Sequence, residues 1–364
     1  MSAAPSRPKQ ARTEAEGEGT PVSAEETQNG AAPRAAIPPW LREQRQSLLA
    51  QRGHAWLLQG PSGLGQYELA MELVRAWLCD HPGPDGACGT CASCHAIDVR
   101  THADLCVLMP ETAMMELNWP ISEKAQSEID DKKRKASREI RVEAMRDAVE
   151  FVQRTSGRGQ GKAVLVFPAE RMNHVSANAL LKTLEEPPPG VRFVLATDAS
   201  HLLLPTIRSR CMAHAMGWPA TADALAWLQE KGVAPDEGRV LLAAAGGRPD
   251  DALTMAQAGL SAKGWAALPK AVKRGEVTAF SDWAPAQAIE AMQKICHDLL
   301  AAGQGAAPRF FGAADLPEPV GVGALTRWSK ELQQSARVAE HPLNAGLMLE
   351  SLVARGQMVL NSRP

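Results

Sequence analysis

The sequence carries almost no net charge, since 39 lysines and arginines are balanced by 41 aspartates and glutamates. Such a chain has no overall field that would draw it to nucleic acid or to a membrane, so contact with DNA must come from a local patch or from partner proteins. No apolar run reaches the length of a membrane span. Residues 1–36 lack the apolar core of a secretory signal, and their Ala, Glu, Pro, Gly, Ser and Thr are typical of a disordered tail. We therefore expect a soluble cytoplasmic protein.

Cysteine is scarce outside one short segment. Four of the seven cysteines lie within sixteen residues, namely Cys79, Cys88, Cys91 and Cys94. In a chain without a leader this clustering favours a metal site over disulfides. Pairs of the form C-x2-C direct two thiolates at one ion, and four thiolates complete a tetrahedral zinc site with no open position. We therefore predict a structural zinc ion.

An iron–sulfur cluster is the alternative metal centre, because C-x2-C-x2-C also opens the ferredoxin pattern. That pattern places the next cysteine after three residues, where this chain has Asp98. His81, His95 and His102 lie close enough in sequence to replace a cysteine ligand, but we expect them at the surface.

A glycine loop lies between an apolar strand and a helix. Gly60 and Gly65 have the spacing of the phosphate-binding template G-x-x-x-x-G-K-[ST], whose lysine binds phosphate and whose hydroxyl binds Mg²⁺. Gln66 replaces that lysine, which removes a charge-assisted hydrogen bond of roughly 1.5–3 kcal/mol. Tyr67 replaces the small hydroxyl residue, and its rigid ring holds the hydroxyl away from the Mg²⁺ position. The spacing alone could arise by chance; in its strand–loop–helix context it predicts a degenerate loop that binds no ATP.

Short apolar runs, such as 105–108, alternate with helical patterns, such as 142–153, beyond the loop, as in a doubly wound parallel sheet. In ATPases of this architecture one strand ends in Asp-Glu, which hold Mg²⁺ and polarise water. The corresponding strand here, 163–167, runs into Phe167 and Pro168, which can do neither. Two phosphate-chemistry motifs are therefore broken while their apolar frames remain, which indicates a scaffold descended from an ATPase. From Trp218 onward the apolar positions have helical spacing, with one helical block at about 285–303 and a last one at 325–360.

Three features together resemble the clamp-loader subunits of bacterial DNA polymerase III. They are the motif Ser209-Arg210-Cys211, the helix ANALLKTLEEPP at 177–188 and the four-cysteine insertion. The resemblance covers about residues 37–260 and, more weakly, 341–344. The γ/τ subunits of that family keep the lysine of the glycine loop, so the degenerate loop is similar to the family's subunit that does not hydrolyse ATP.

The resemblance implies a role for the one polar motif that is intact. In the family the Ser-Arg-Cys arginine reaches across an interface into the ATP site of the neighbouring subunit, so Arg210, flanked by Ser209 and Cys211, would be an arginine finger in trans. An isolated arginine would otherwise be read as a surface residue in a salt bridge. The implied partners are the γ/τ and δ subunits and, through the assembled loader, the sliding clamp and primed DNA. The chain would be no enzyme by itself but a component of the polymerase holoenzyme.

The fold implied by these features is an AAA+ P-loop-type α/β sheet domain, a small helical lid and an all-helical C-terminal collar domain. The predicted organisation is a tail at 1–36, the α/β domain at 37–217 with a zinc module at 79–94 and a polar insertion at 111–139, the lid at 218–265 and the collar domain at 266–364.

Two other functions remain open at this point. An active AAA+ ATPase of the γ/τ kind would need detectable nucleotide binding. A zinc-dependent nucleic-acid-binding module would need a basic face, and the balanced charge offers none. The insertion contains the basic run 132–135 beside Asp130 and Asp131; we interpret it as a solvated segment, with contact to DNA as the alternative.

Overall fold

The computed structural model describes residues 37–318, 320–339, 341 and 344–362. The predicted tail at 1–36 lies outside the described residues, as do Pro342 and Leu343 of the weak C-terminal match. Among the described helices, none is both long and apolar enough to cross a membrane.

A parallel sheet of five strands organises the first half of the chain, in the order β2-β3-β4-β1-β5. The strands are β1 (Ala55–Gln59), β2 (Leu105–Leu108), β3 (Lys162–Val166), β4 (Val191–Thr197) and β5 (Met212–Ala215). β1, β3 and β4 are buried almost throughout, as expected of parallel strands covered on both faces.

Alternate residues of these strands face two different hydrophobic cores. Trp56 and Leu58 of β1 belong to the core under α1 and α2, whereas Ala55 and Leu57 belong to the core under α6 and α7. The helices of this region are α1 (Pro39–Leu49), α2 (Gln66–Leu78), α3 (Ala92–Asp98), α4 (Glu111–Glu116), α5 (Glu123–Asp130), α6 (Val142–Gln153), α7 (His174–Glu185) and α8 (Pro205–Arg208). The predicted α/β class with a doubly wound parallel sheet is confirmed.

Only helices follow the sheet among the described residues. They are α9 (Thr221–Glu230), α10 (Pro235–Ala244), α11 (Pro249–Gln257), α12 (Ala262–Arg274), α13 (Pro285–Gly303), α14 (Val322–Val338) and α15 (Ala345–Leu360), with a short 3-10 turn at Val277–Phe280. Trp227 of α9 packs against Trp40 in the first core, with ring centroids 5.5 Å apart. Helices α12–α15 form a third core. The domain bounds at 217/218 and 265/266 stay predictions.

The insertion 111–139 differs in part from the solvated segment expected of it. Helix α5 has no buried residue, in agreement with that expectation. Glu111 and Trp119, however, are only 7% and 8% exposed, because Glu111 pairs with Arg134 near the other end of the insertion and Trp119 bonds Tyr67 of α2.

A buried carboxylate holds the third core together. Asp298 of α13 is fully buried and accepts hydrogen bonds from the backbone N–H groups of Arg309, Phe310 and Phe311 at 2.9, 2.7 and 2.9 Å. These bonds fix the turn that stacks Phe311 on Trp265 with ring centroids 4.7 Å apart.

We expect Asp298→Ala to lower the free energy of unfolding by at least about 2 kcal/mol, because each buried donor left unpaired costs roughly 1–3 kcal/mol. Asp298→Asn keeps one acceptor oxygen and should lie between this variant and the unaltered chain. Urea unfolding followed by circular dichroism measures the difference, with Asp282→Ala on the exposed surface as the control. Equal midpoints for Asp298→Ala and Asp282→Ala would contradict the assignment.

Candidate functional site

The glycine loop follows β1 and leads into α2, as its template requires. Gly63 and Gly65 have φ values of 74° and 90°, in the left-handed region that favours glycine. The lid lies directly against the loop, because a Cβ at Gly63 would be 2.5 Å from Asp251 Oδ1 of α11. Ser62 Oγ donates to Asp251 Oδ2 at 2.9 Å, and Arg248 Nη1 donates to Ser62 Oγ at 3.2 Å. The loop is thus bonded directly to residues at the start of α11.

Gln66 is engaged within its own loop. The side chain stands at the template's lysine position and is 3% exposed. Its Nε2 atom lies 2.6 Å from Pro61 O, 3.2 Å from Gly60 O and 2.9 Å from Asp198 Oδ1. The amide therefore satisfies acceptors of the protein and offers no cation to a phosphate.

Aromatic rings stand where the template places Mg²⁺ chemistry. Tyr67 lies against Phe167, with ring centroids 5.3 Å apart and an interplanar angle of 36°. Trp119 Nε1 donates a hydrogen bond of 2.7 Å to the Tyr67 hydroxyl. Because Mg²⁺ requires oxygen ligands in octahedral geometry, this cluster lacks the chemistry of a metal–nucleotide site.

Thr197 is fully buried at the end of β4. Its Oγ1 donates to Glu170 Oε2 at 2.6 Å and accepts from Ala199 N at 3.2 Å. The hydroxyl therefore caps the strand end.

Carboxyl groups crowd this region. Burial, together with the neighbouring Glu170 and Asp251, raises the pKa of Asp198 to about 6. Burial likewise raises the pKa of Asp250 to about 8, with Glu68 and Asp251 adding to the effect and Lys231 opposing it. A triphosphate would add negative charge to a volume in which existing carboxyls already resist ionisation.

Arg210 lies between α8 and β5, and its side chain is 29% exposed. Nη2 donates to Glu185 Oε1 at 2.8 Å, and Nη1 donates to Thr206 O at 3.0 Å. Ser209 Oγ also bonds Thr206 O, at 3.2 Å. Cys211 packs against the core under α6 and α7, and burial raises the pKa of its thiol to about 12. Ser209 and Cys211 therefore fix the backbone on either side of the arginine.

The sheet places Arg210 and the glycine loop at opposite ends. β1 and β5 are parallel, with Trp56 opposite Met212 and Gln59 opposite Ala215. Arg210 precedes the start of β5, whereas Gly60 follows the end of β1. An arginine at that end of the sheet is far from the chain's own glycine loop.

The four predicted metal ligands are brought together. Cys79 Sγ lies 3.5, 3.8 and 3.7 Å from the sulfurs of Cys88, Cys91 and Cys94, and all four sulfurs lie within 4.8 Å of one another. A tetrahedral site with Zn–S bonds of about 2.3 Å requires sulfurs about 3.8 Å apart. The cluster could therefore hold a metal ion, and its size suits zinc.

Backbone N–H groups support the sulfurs of the cluster. Cys79 Sγ accepts from Cys88 N at 3.3 Å, and Cys91 Sγ accepts from Cys94 N at 3.4 Å. Hydrogen bonds from the backbone of Thr90 and Cys91 lower the pKa of Cys88 to about 6, whereas burial raises the pKa of Cys79.

His81 and His95 are exposed, as expected. The same expectation was wrong for His102, which is 6% exposed. Its Nδ1 accepts from Asp104 N at 3.1 Å, and burial lowers its pKa. In the described part of the chain, the group of side chains able to hold a metal consists of the four cysteines alone.

Two residues that contact the glycine-loop region were not predicted from the sequence. Trp119 comes from the polar insertion, and its only signal was a large apolar side chain next to Met114, Met115 and Leu117. Asp251 comes from the lid, about 190 residues after the loop it bonds, and a short-range pattern carries no signal for such a contact.

Comparison with known proteins finds similarity over about half of the chain. Residues 41–217 match the model of the family described as "DNA polymerase III, delta subunit". The δ′ subunit of DNA polymerase III from Pseudomonas aeruginosa is 40% identical over 204 residues, which are 55% of each chain. The τ subunit from Escherichia coli is 33% identical over 159 residues, which are 44% of this chain and 21% of that protein. The matched region thus spans about half the length of the δ′ relative.

Among solved structures, a γ subunit-related protein of DNA polymerase III from Thermotoga maritima is similar to 88% of this chain and 100% of that one. The two are 18% identical, with a TM-score of 0.43.

Proposed function

We propose that the chain is a δ′ subunit of DNA polymerase III and the non-hydrolysing member of a cytoplasmic clamp loader, which the match over residues 41–217 and the similarity to δ′ proteins support. It would assemble with γ/τ and δ subunits and help to place the sliding clamp on primed DNA. Its own contributions would be a fixed scaffold and one arginine supplied to a neighbouring ATP site.

One observation carries this proposal. The chain keeps an arginine suited to phosphate at one end of β1 and β5, while the glycine loop at the other end is filled by its own side chains. Arg210 therefore has no nucleotide to act on within its own chain. Guanidinium is permanently charged and forked, which suits it to a γ-phosphate presented by a second subunit.

The pocket accounts for the proposed absence of ATP hydrolysis. Gln66 supplies no charge, Phe167 cannot bind Mg²⁺ and Pro168 cannot activate water. The bonds of Ser62 to Asp251 and Arg248 join the loop to the start of α11, which supports a scaffold role for this region.

We expect the purified chain to show no binding of Mg·ATP by isothermal titration. Gln66→Lys should not create an ATPase, because the Mg²⁺ aspartate and the polarising glutamate are also missing and because Tyr67, Phe167 and Trp119 remain in place. Micromolar affinity of the unaltered chain would favour an active ATPase instead.

The four cysteines would hold one zinc ion as a structural cross-link between the end of α2 and the start of α3. Because all four ligands come from the protein, the ion would have no place for substrate.

Elemental analysis of chain purified without chelators should give one zinc per molecule. Cys91→Ser should lose the metal and loosen residues 79–98, since structural zinc contributes about 10–16 kcal/mol in small peptides. Cys106→Ser, outside the cluster, is the matched control and should keep the zinc. Iron, or no metal, in the unaltered chain would contradict this assignment.

Replacing Arg210 tests the catalytic role. In phosphoryl transfer an arginine supplied in trans is worth about 10³–10⁵ in rate at the site it serves. We expect Arg210→Ala to leave assembly and metal content unchanged and to lower clamp- and DNA-stimulated ATP turnover of the reconstituted loader only in part, because other subunits would serve the remaining sites. Arg210→Lys should rescue poorly, since a point charge cannot reproduce the planar fork.

Arg208→Ala is the matched control, because Arg208 is an exposed arginine two residues earlier. Turnover in the Arg210→Ala loader equal to that of the Arg208→Ala loader, with both correctly assembled, would leave Arg210 as a surface residue.

A further inference from the structure

Hydrogen bonds join the two ends of the insertion 111–139 to each other. Glu111, at the start of α4, is 7% exposed and receives Nη1 and Nη2 of Arg134 at 2.6 and 2.9 Å. The same carboxylate accepts from Ser137 N at 2.8 Å, and Thr112 N donates to Ser137 O at 3.2 Å. These bonds lower the pKa of Glu111 despite its burial. The segment therefore leaves and re-enters the domain at one fixed point.

A second attachment lies within the segment. The chain turns after α4, where Trp119 N donates to Met114 O at 2.7 Å. The indole that follows is 8% exposed, and the Arg100 guanidinium lies over its ring at 4.3 Å from the centroid. Met114 and Leu117 pack against the core under α1 and α2. The insertion is thus held at two points, by the Glu111–Arg134 ion pair where its two ends meet and by the burial of Trp119.

Trp119 also contacts the degenerate glycine-loop region directly. Trp119 Nε1 bonds the hydroxyl of Tyr67, the residue that stands at the Mg²⁺-binding position of the template. Tyr67 in turn lies on Phe167 at the end of β3. The three rings form one continuous group from the insertion to the sheet, across the side of the pocket where metal and γ-phosphate are held in an active loop.

We propose that the segment 111–139, which we name the strap, is a permanent internal occupant that closes the nucleotide pocket and orders the glycine loop in place of a ligand. In an active loop the bound nucleotide supplies the contacts that order the loop. Here indole burial and the Trp119–Tyr67 bond supply them from within the chain. This role of the strap does not depend on which complex the chain joins.

The order of the pocket should therefore depend on Trp119. Hydrogen exchange measured by mass spectrometry on the full chain reports this directly, because local opening determines the exchange rate of each segment. We expect Trp119→Ala to speed exchange roughly tenfold in 60–70 as well as in 111–139. Trp119→Phe keeps a ring but loses the N–H, and it should show a smaller effect in both segments.

The matched control is Trp218→Ala, which removes an indole that is 53% exposed and should leave exchange in 60–70 unchanged. Tyr67→Phe removes only the acceptor hydroxyl and preserves the ring, so it tests the contact even if Trp119→Ala fails to fold. Faster exchange in 60–70 for Tyr67→Phe supports the strap.

Exchange in 60–70 that is unchanged in the folded Trp119→Ala variant, whether or not 111–139 loosens, would overturn the proposal. Because no nucleotide enters this experiment, its failure is distinguishable from that of the proposed loader function, which ATP binding or the Arg210 variants would reveal.

Discussion

The parallel pairing of β1 with β4 and β5 is the constraint on which both functional regions depend. All three strands run in one direction, so their carboxyl ends carry the glycine loop and Thr197, while the amino end of β5 carries Arg210. Reversing one strand would bring the arginine to the loop. With the observed direction, a phosphate that Arg210 contacts must be presented at the opposite end of the sheet, by another molecule.

The residues at the chemical positions of the template contact other parts of the same chain. Gln66 satisfies the loop carbonyls, Tyr67 and Phe167 occupy the metal side, and Ser62 bonds the lid. Each replacement leaves the strand–loop–helix frame in place, because it supplies from within the chain a contact that a ligand otherwise makes. A loop of left-handed glycines with no such contacts would leave buried polar groups unpaired, which costs roughly 1–3 kcal/mol for each group.

The sequence predicted the helices and strands of the fold better than the contacts between residues distant in sequence. The strand at 105–108 and the helices at 142–153 and 285–303 have the bounds that their apolar patterns predicted. β5 was not predicted, because Met-Ala-His-Ala is short, mostly exposed and without apolar alternation. The block at 325–360 was predicted without its division into α14 and α15. For the site, spacing alone identified the four cysteines and the altered loop, since both are local patterns. Trp119 and Asp251 act through contacts distant in sequence, which no local pattern encodes.

The salt bridge between Arg210 and Glu185 can keep the guanidinium of the proposed arginine finger ordered before it meets a phosphate. Its partner Glu185 is 58% exposed, and Arg210 itself is 29% exposed, so the pair lies in a region of high dielectric. Exposed pairs of this kind contribute about 0–1 kcal/mol. A phosphate carries more charge than one carboxylate and accepts a forked pair of bonds, so exchanging Glu185 for phosphate would cost little and restore bidentate pairing. The bond of Nη1 to Thr206 O meanwhile limits the orientations of the side chain. A weak, well-oriented ion pair thus keeps the guanidinium ordered without competing strongly against the phosphate that we propose it meets.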